Sequence, residues 1–292
     1  MAASRDYSTA LVTGASSGIG EALAQALAGR GCDLVLVARR ADRLETLAAT
    51  LRAAHRVHVQ VLPADLSDPG QLATVEQRVA DPDNPVDLLV NNAGHTPQPI
   101  RPLSRQEPAT EQQKIAVNVA ALVRLTQAAL PGMEQRGHGG VLNVSSFASF
   151  LPQPNAAVYA ATKAFVTSFS ESVHSEASRH GVHVTALAPG FTRRGDAVER
   201  GGMQHRRMPE FLWLDRDEVA QAALDAVIRG DVLCVPGAPY RALALLARVA
   251  PRPVVRRLFD ALWNSPRKPA GAATAGAAAR PAEDRARSSR IA

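Results

Sequence analysis

The chain has 292 residues, 46% of them apolar and 21% charged, which suits one large soluble domain with its own core. Two isolated cysteines, Cys32 and Cys234, exclude a disulfide framework and a zinc site and fit a reducing compartment, and eight scattered histidines show no metal-ligand spacing. Net charge is +6, but residues 241–292 hold eleven Arg/Lys against three Asp/Glu (+8), leaving −2 for residues 1–240, so the main domain lacks a nucleic-acid footprint.

The opening MAASRDYSTA has no apolar signal-peptide core. No apolar run approaches the roughly 18 residues of a membrane span, so a soluble, cytoplasmic protein is expected. Thr9–Thr13 is a short apolar strand ending in Thr13-Gly14-Ala15-Ser16-Ser17-Gly18-Ile19-Gly20, and an amphipathic helical pattern follows to Leu27. Strand, glycine-rich turn and helix is the context in which glycine spacing points to a pyrophosphate site, because the helix N-terminus offers free N–H groups. Without a ligand the same pattern is only a tight turn. The second strand, Asp33–Ala38, is almost continuously apolar, as in a parallel sheet covered on both faces. It ends in Ala38-Arg39-Arg40, where an acidic residue would hold a ribose 2′-hydroxyl; guanidinium groups suit a 2′-phosphate instead. A solvent-facing role, opening the next helix, fits Arg40 better than Arg39.

A helix over Ala41–Ala54 precedes a third strand, Val57–Leu62, which runs into Asp65-Leu66. Asp68-Pro69 reads as a cap and first helical residue. A turn at Asp81–Pro85 leads to a fourth strand, Val86–Val90, and then to Asn91-Asn92-Ala93-Gly94. Thr110–Gln135 is a long helix containing Asn118, and Gly140–Ser146 a fifth strand. Asn155–His180 is helical and carries Tyr159 and Lys163 four residues apart on one face. An ammonium beside a phenol favours the phenolate, whose proton otherwise leaves near pH ~10. Such a tyrosine can pass a proton to or from a carbonyl or alcohol oxygen near neutral pH. A sixth strand, Val182–Ala188, ends in Pro189-Gly190. Residues 191–214 are irregular and rich in Arg, Gly and Met, as suits a substrate lid. Asp215-x-x-Glu218 opens a helix to Arg229, and Asp231–Val235 is the seventh strand. The rhythm predicts a single α/β domain: a doubly wound, Rossmann-like parallel sheet of seven strands with helices on both faces.

The domain is expected to span 1–237. An amphipathic helical extension, 238–265, follows, broken at Pro251 and Pro253, with Val254, Val255, Leu258, Phe259 and Leu262 on one face. From 266 to 292 a basic, aperiodic tail of Ala, Pro, Gly and Arg reads as disordered. The extension's apolar face and arginines would suit an anionic membrane surface, but the two prolines and the shortness of the face favour packing on protein.

These motifs, in this order, resemble the short-chain dehydrogenase/reductase family over about Tyr7 to Pro236: T-G-A-S-S-G-I-G, D-L, N-N-A-G, the mid-helix Asn, S-S before Y-x-x-x-K, and P-G. The resemblance implies NADP(H)-dependent hydride transfer between nicotinamide and a ketone, aldehyde or secondary alcohol, with a lipophilic or acyl-type substrate. It makes Tyr159 the acid/base and Lys163 its modulator and a ribose contact. Ser146, thirteen residues before Tyr159, holds the substrate oxygen, while Ser145 is a packing residue. Asn118 distorts its helix and holds a water joining Lys163 to solvent. Gly14, Ser16, Ser17, Gly18, Ile19 and Gly20, with Arg39 and Arg40, take the cofactor phosphates. Asp65 and Leu66 meet the adenine, Asn92, Ala93 and Gly94 its ribose and the sheet interior, and Pro189, Gly190 and Thr192 the nicotinamide side. The family's habits also imply a homodimer or homotetramer. Two departures stand out: His95-Thr96-Pro97-Gln98-Pro99 after N-N-A-G, and Arg194 where relatives place a threonine. Lid arginines Arg193, Arg194, Arg200, Arg206 and Arg207 would draw an anionic substrate, or else lie solvated. The alternative function is a cofactor-binding sensor or scaffold without turnover, though such a chain would be expected to lose Tyr159, Lys163 or Ser146 first.

Overall fold

The computed structural model describes residues 7–96, 100–193, 209–251, 253, 254 and 257. Expectations for Pro97–Pro99, for Arg194, Arg200, Arg206 and Arg207, for Val255 and for the tail from 258 onward lie outside these residues. In chain order the elements are β1 (Thr9–Thr13), α1 (Gly18–Gly29), β2 (Asp33–Ala38), α2 (Ala41–His55), β3 (Val59–Pro63), α3 (Pro69–Ala80), β4 (Leu88–Asn91), α4 (Pro108–Ile115), α5 (Leu122–Arg136), β5 (Gly139–Val144), α6 (Ala157–Ala177), β6 (Val182–Leu187), α7 (Arg216–Arg229), β7 (Leu233–Cys234) and α8 (Ala238–Val249). All seven strands are parallel, in the order β3-β2-β1-β4-β5-β6-β7. The order reverses between β1 and β4, and the carboxyl ends beside that switch are where an open α/β sheet binds ligands.

Both faces are covered. One core joins α1, α2 and α7 to the sheet through Leu23, Leu27, Leu44, Leu51, Leu224 and Val227. The other joins α3, α5 and α6 through Leu72, Val75, Leu125, Met133, Val173 and Ala177. Strands buried on both sides must be apolar at every position, which is why they read as continuous runs. Local chemistry sets the helix starts. Asp68 accepts from Gln71 N–H at 2.8 Å with Pro69 at the first position, and Asp215 accepts from Asp217 and Glu218 N–H.

Several boundaries shift. β3 starts at Val59 rather than Val57, because Arg56 is left-handed (φ 58°) at the end of α2 and delays the pairing. β7 shrinks to two residues at the sheet edge. The long helix is not one α-helix, since Ala116–Ala121 is wound as a π-helix between α4 and α5. By length and composition the combined 108–136 helix is apolar enough to cross a membrane, contrary to the sequence expectation. It nevertheless carries the buried Asn118 and packs α5 onto the second core.

Candidate active site

The turn after β1 is built around Thr13. Its hydroxyl donates to the Val90 carbonyl (3.1 Å) and accepts from Asn92 and Ala93 N–H (2.9 and 3.0 Å), clamping β1 to the loop after β4. The Asn92 amide lies beneath the turn and donates to the carbonyls of Thr13 (2.9 Å) and Gly14 (3.2 Å). A Cβ on Gly20 would stand 2.3 Å from Asn92 Nδ2 and 2.5 Å from Gly14 O, so only glycine permits this closeness. The N-cap, Ser17, makes no side-chain cap bond, and a Cβ on Gly18 would meet nothing within 4 Å. The first turn of α1 therefore presents uncapped N–H groups to open space, a fit for an anionic group.

Above this turn the two arginines divide the work differently from the sequence expectation. Arg40 folds back, its Nη2 donating to Ser16 Oγ at 3.0 Å and reaching Ser17 Oγ at 3.5 Å. It is thus drawn to the glycine-rich turn, because these hydroxyls are the acceptors within its reach. Arg39 extends outward, 60% exposed, with Nη1 4.0 Å from Asp65 Oδ2. Burial alone would raise the Asp65 carboxyl, but the Ser67 hydroxyl and N–H and then Arg39 hold it below its ordinary value. His95 is pushed down by burial and by Arg39.

The catalytic wall is assembled from β4, β5, the π-helical turn and α6. Lys163 is 6% exposed, its Nζ donates to the Val144 carbonyl at 2.7 Å, and it stands 5.9 Å from the centre of the Tyr159 ring. Burial lowers its pKa to about 8. An ammonium has three N–H donors, and Val144 takes one. Asn118, 1% exposed, accepts from His95 N–H (2.8 Å) and donates to the His95 carbonyl (3.2 Å) and Thr162 Oγ1 (3.1 Å). A Cβ on Gly94 would lie 3.2 Å from Asn118 Oδ1 and 3.6 Å from Lys163 Nζ, so Gly94, Asn118 and Lys163 meet at one point. The π-turn centred there shows the distortion expected at Asn118.

The two serines part company. Ser145 is buried and bonds the Lys163 carbonyl and Thr167 Oγ1, both at 2.8 Å, which ties β5 to α6. Ser146 is half-buried and caps the short 3₁₀ turn Phe147–Phe150, accepting from Ala148 N–H at 3.1 Å; that turn packs against α6.

A second group of residues comes from the end of β6, the two ends of the expected lid segment and α8. Pro189 O accepts from Phe147 N–H at 2.9 Å, and Thr192 Oγ1 bonds Gly190 O at 3.2 Å. Thr192 and Leu214 form a bridge at the base of this segment, beside the mutually tilted rings of Phe191 and Trp213 and an Arg193–Glu210 ion pair. Tyr240 of α8, 3% exposed, joins this group together. Its hydroxyl accepts from Phe191 N–H (3.1 Å) and donates to the Leu212 carbonyl (2.8 Å), one on each side of the lid. Its ring sits edge-on to Phe147 at 5.2 Å, and a Cβ on Gly190 would fall 2.0 Å from it. Neither Thr13 nor Tyr240 was picked out from the sequence. Thr13 ends an apolar strand, and Tyr240 lies 81 residues after Tyr159, outside every motif.

Comparison with known proteins identifies the family. The short chain dehydrogenase family profile covers residues 8–201. Among sequences, a dehydrogenase/reductase SDR family protein 7-like of Anopheles gambiae is 32% identical over 82% of this chain and 78% of its own, and sulfoacetaldehyde reductase 2 of Chromohalobacter salexigens is 36% identical over 66% and 75%. Among structures, a short-chain dehydrogenase from Sphingobium yanoikuyae in complex with NADPH is 36% identical, with a TM-score of 0.74 over 93% of this chain and 98% of its own. The bulky-bulky ketone specific alcohol dehydrogenase from Comamonas testosteroni is 30% identical, with a TM-score of 0.72 over 91% and 98%. With motifs, sheet order and site geometry agreeing, the chain belongs to the short-chain dehydrogenase family of oxidoreductases.

Proposed function

We propose that this chain is an NADP(H)-dependent reductase or dehydrogenase acting on bulky, apolar ketones and the matching secondary alcohols. The observation that carries the reading is the buried Lys163 ammonium near the Tyr159 ring and beside Asn118. The residues present fit NADP(H): the open N-terminus of α1 for the pyrophosphate, Arg40 and Arg39 for the 2′-phosphate, Asp65 and Leu66 for the adenine. Asn92 spends its amide on the turn and so acts on the cofactor by shaping that turn. When bound, the cofactor supplies or accepts the hydride at the substrate carbon.

This chain's own residues manage the oxygen. Ser146 Oγ hydrogen-bonds the carbonyl oxygen and orients it, and the Tyr159 hydroxyl gives that oxygen a proton as negative charge develops there. The nearby ammonium of Lys163 stabilises the phenolate left behind, and its unspent N–H donors suit ribose hydroxyls. Asn118 fixes the loop at His95 against α6 and keeps this corner open for a water that returns the proton to Tyr159. In the oxidative direction each transfer runs backward. The aromatic pairs near the site, Phe147 with Phe150 and Phe191 with Trp213, support an apolar substrate, as does the ketone specificity named for the Comamonas protein, and the NADPH held by the Sphingobium one supports the cofactor.

The test is oxidation of NADPH with a panel of aryl and long-chain ketones, beside small ketones and anionic aldehydes. Turnover restricted to the bulky apolar members is expected. Tight NADPH binding with no turnover across the panel, in either direction, would instead favour the sensor reading.

A further inference from the structure

Helix α8 has two apolar sides, and among the described residues only one is covered. Tyr240 and Ala244 are buried against the lid base and the Phe147–Phe150 turn, and Arg248 pairs with Glu171 at 2.6 Å over the Phe150 ring. The other side carries Leu243, Leu245, Leu246 and Val249, which are 45%, 65%, 52% and 72% exposed. At 100° per residue they fall on one continuous arc with Ala242 and no polar side chain among them. Val254, just beyond the helix, is 56% exposed and extends the apolar surface.

Charge decides among the occupants of this face. Between Asp231 and Asp260 there is no acidic residue, whereas Arg241, Arg248, Arg252, Arg256 and Arg257 all lie there. Arg248 already pairs with Glu171, but a second copy of the same face would bring the Arg241 side chains that flank it together with no acid from the helix to answer them, since an isologous contact repeats each side's charge. An anionic lipid surface answers both properties at once: its acyl boundary takes the leucines and valines, and its headgroups take the guanidiniums.

We propose that the outward face of α8 is a peripheral docking surface for an anionic lipid membrane. The helix lies in the interface plane, and the helix 108–136, committed to Asn118 and the core, plays no part. The lid base held by Tyr240 is on the opposite side of the same helix, about 10 Å away across its diameter, so docking sets the substrate mouth beside the lipid. This inference does not depend on the reaction, because binding is read without turnover.

The experiment is co-sedimentation of the full chain with phosphatidylcholine vesicles and with vesicles of phosphatidylcholine and phosphatidylserine. Binding to the anionic vesicles alone is expected, reduced by salt. The variant L245S/L246S/V249S changes only exposed side chains and should partition at least tenfold more weakly, with unchanged melting temperature and unchanged turnover in solution. Arg241→Glu should weaken binding several-fold and shift its salt dependence. Absence of wild-type binding to anionic vesicles, or equal binding by the triple variant, overturns the proposal. So does a triple variant that leaves vesicle behaviour alone but shrinks the oligomer, since a second copy would then cover the face.

Discussion

The residues gathered around Lys163, the proposed catalytic wall, and those gathered around Tyr240, the expected lid wall, are built by different means. The catalytic wall is polar and buried: Asn91, Asn143 and Ser170 form a hydrogen-bonded chain behind it, and Asn118, Ser145, Thr162 and Lys163 are each fixed by at least one bond. Buried polar groups left unpaired are costly, so every one of these contacts constrains its neighbours. The lid wall is aromatic, and the Tyr240 hydroxyl, bonded to Phe191 and Leu212, joins its two segments beside the backbone bonds between Leu214 and both Phe191 and Arg193. Reacting atoms need placement within fractions of an ångström, and only directional bonds provide it. A substrate's apolar body needs volume and shelter from water, which rings supply with looser geometry. Substitutions on the first wall should therefore change the chemical step, and those on the second should change which substrates are held.

The largest effect is expected at Tyr159. Tyr159→Phe keeps the ring and removes the proton, so kcat should fall by about 10²–10⁴, the usual worth of general acid–base help, while NADPH affinity stays close to wild type. A variant retaining a tenth of wild-type kcat would show that another group supplies the proton and that this wall's geometry has been misassigned.

Lys163→Met comes next and should lower both turnover and cofactor affinity, separating it from Tyr159→Phe. It also carries a pH signature. Burial holds the folded pKa at about 8, below the ordinary 10.5. Between those values the unfolded chain binds the proton and the folded chain does not, so folding stability rises with pH across that window. Below about 8 both states are protonated and the cost of burying the charge is felt in full, on the order of 3 kcal/mol from the size of the shift. Urea titrations of the cofactor-free protein at pH 7.5, just below that window, and at pH 9.5, well inside it, should show this gain in wild type and lose it in Lys163→Met. An identical pH slope in the two proteins would mean that the ammonium is better solvated than its burial indicates.

Cofactor selection should respond to smaller perturbations. Each guanidinium contact to a 2′-phosphate is worth roughly 1.5–3 kcal/mol, about tenfold to a hundredfold in affinity. Arg39→Ala and Arg40→Ala should each weaken NADPH and leave NADH almost untouched. Because Arg40 already reaches the Ser16 and Ser17 hydroxyls, its loss should also loosen the glycine-rich turn and cost NADH a little. Equal losses for both cofactors in both variants would remove the 2′-phosphate assignment.

How much was legible follows the same division. The sheet could be read because strands covered on both faces must be apolar throughout, and the catalytic wall because its residues sit at fixed spacings on single elements. Tyr159 and Lys163 share a helix face, and Ser145 and Ser146 directly follow a strand. The direction of Arg40 was not legible, since it depends on how closely the end of β2 approaches the turn after β1. A distortion at Asn118 was expected from the family resemblance, but not its bonds to His95 and Thr162, 23 and 44 residues away in the chain. Tyr240 was hidden for the same reason, as its partners are 49 and 28 residues away. Contacts set by tertiary approach leave no local period to detect.

The smallest expected effect is also the sharpest test of the two-wall contrast. Tyr240→Phe keeps the ring against Gly190 and Phe147 and removes only the hydroxyl that bridges Phe191 and Leu212. Both backbone partners are only partly buried, so water can replace part of what is lost and the net cost should be near 1 kcal/mol. That energy is lost at the lid base and not at the reacting atoms. KM for a bulky ketone should rise several-fold, while kcat and NADPH affinity remain close to wild type. Gly190→Ala attacks the same joint sterically, because its Cβ would land 2.0 Å from the ring, and it should do more harm in wild type than in a Tyr240→Ala background, where the ring is gone. Strongly non-additive effects on KM in that double-mutant cycle would place the joint in the lid wall. If Tyr240→Phe instead lowered kcat as much as it raised KM, the hydroxyl would be acting on the chemical step through Phe147 and Ser146, and the two walls would be one unit.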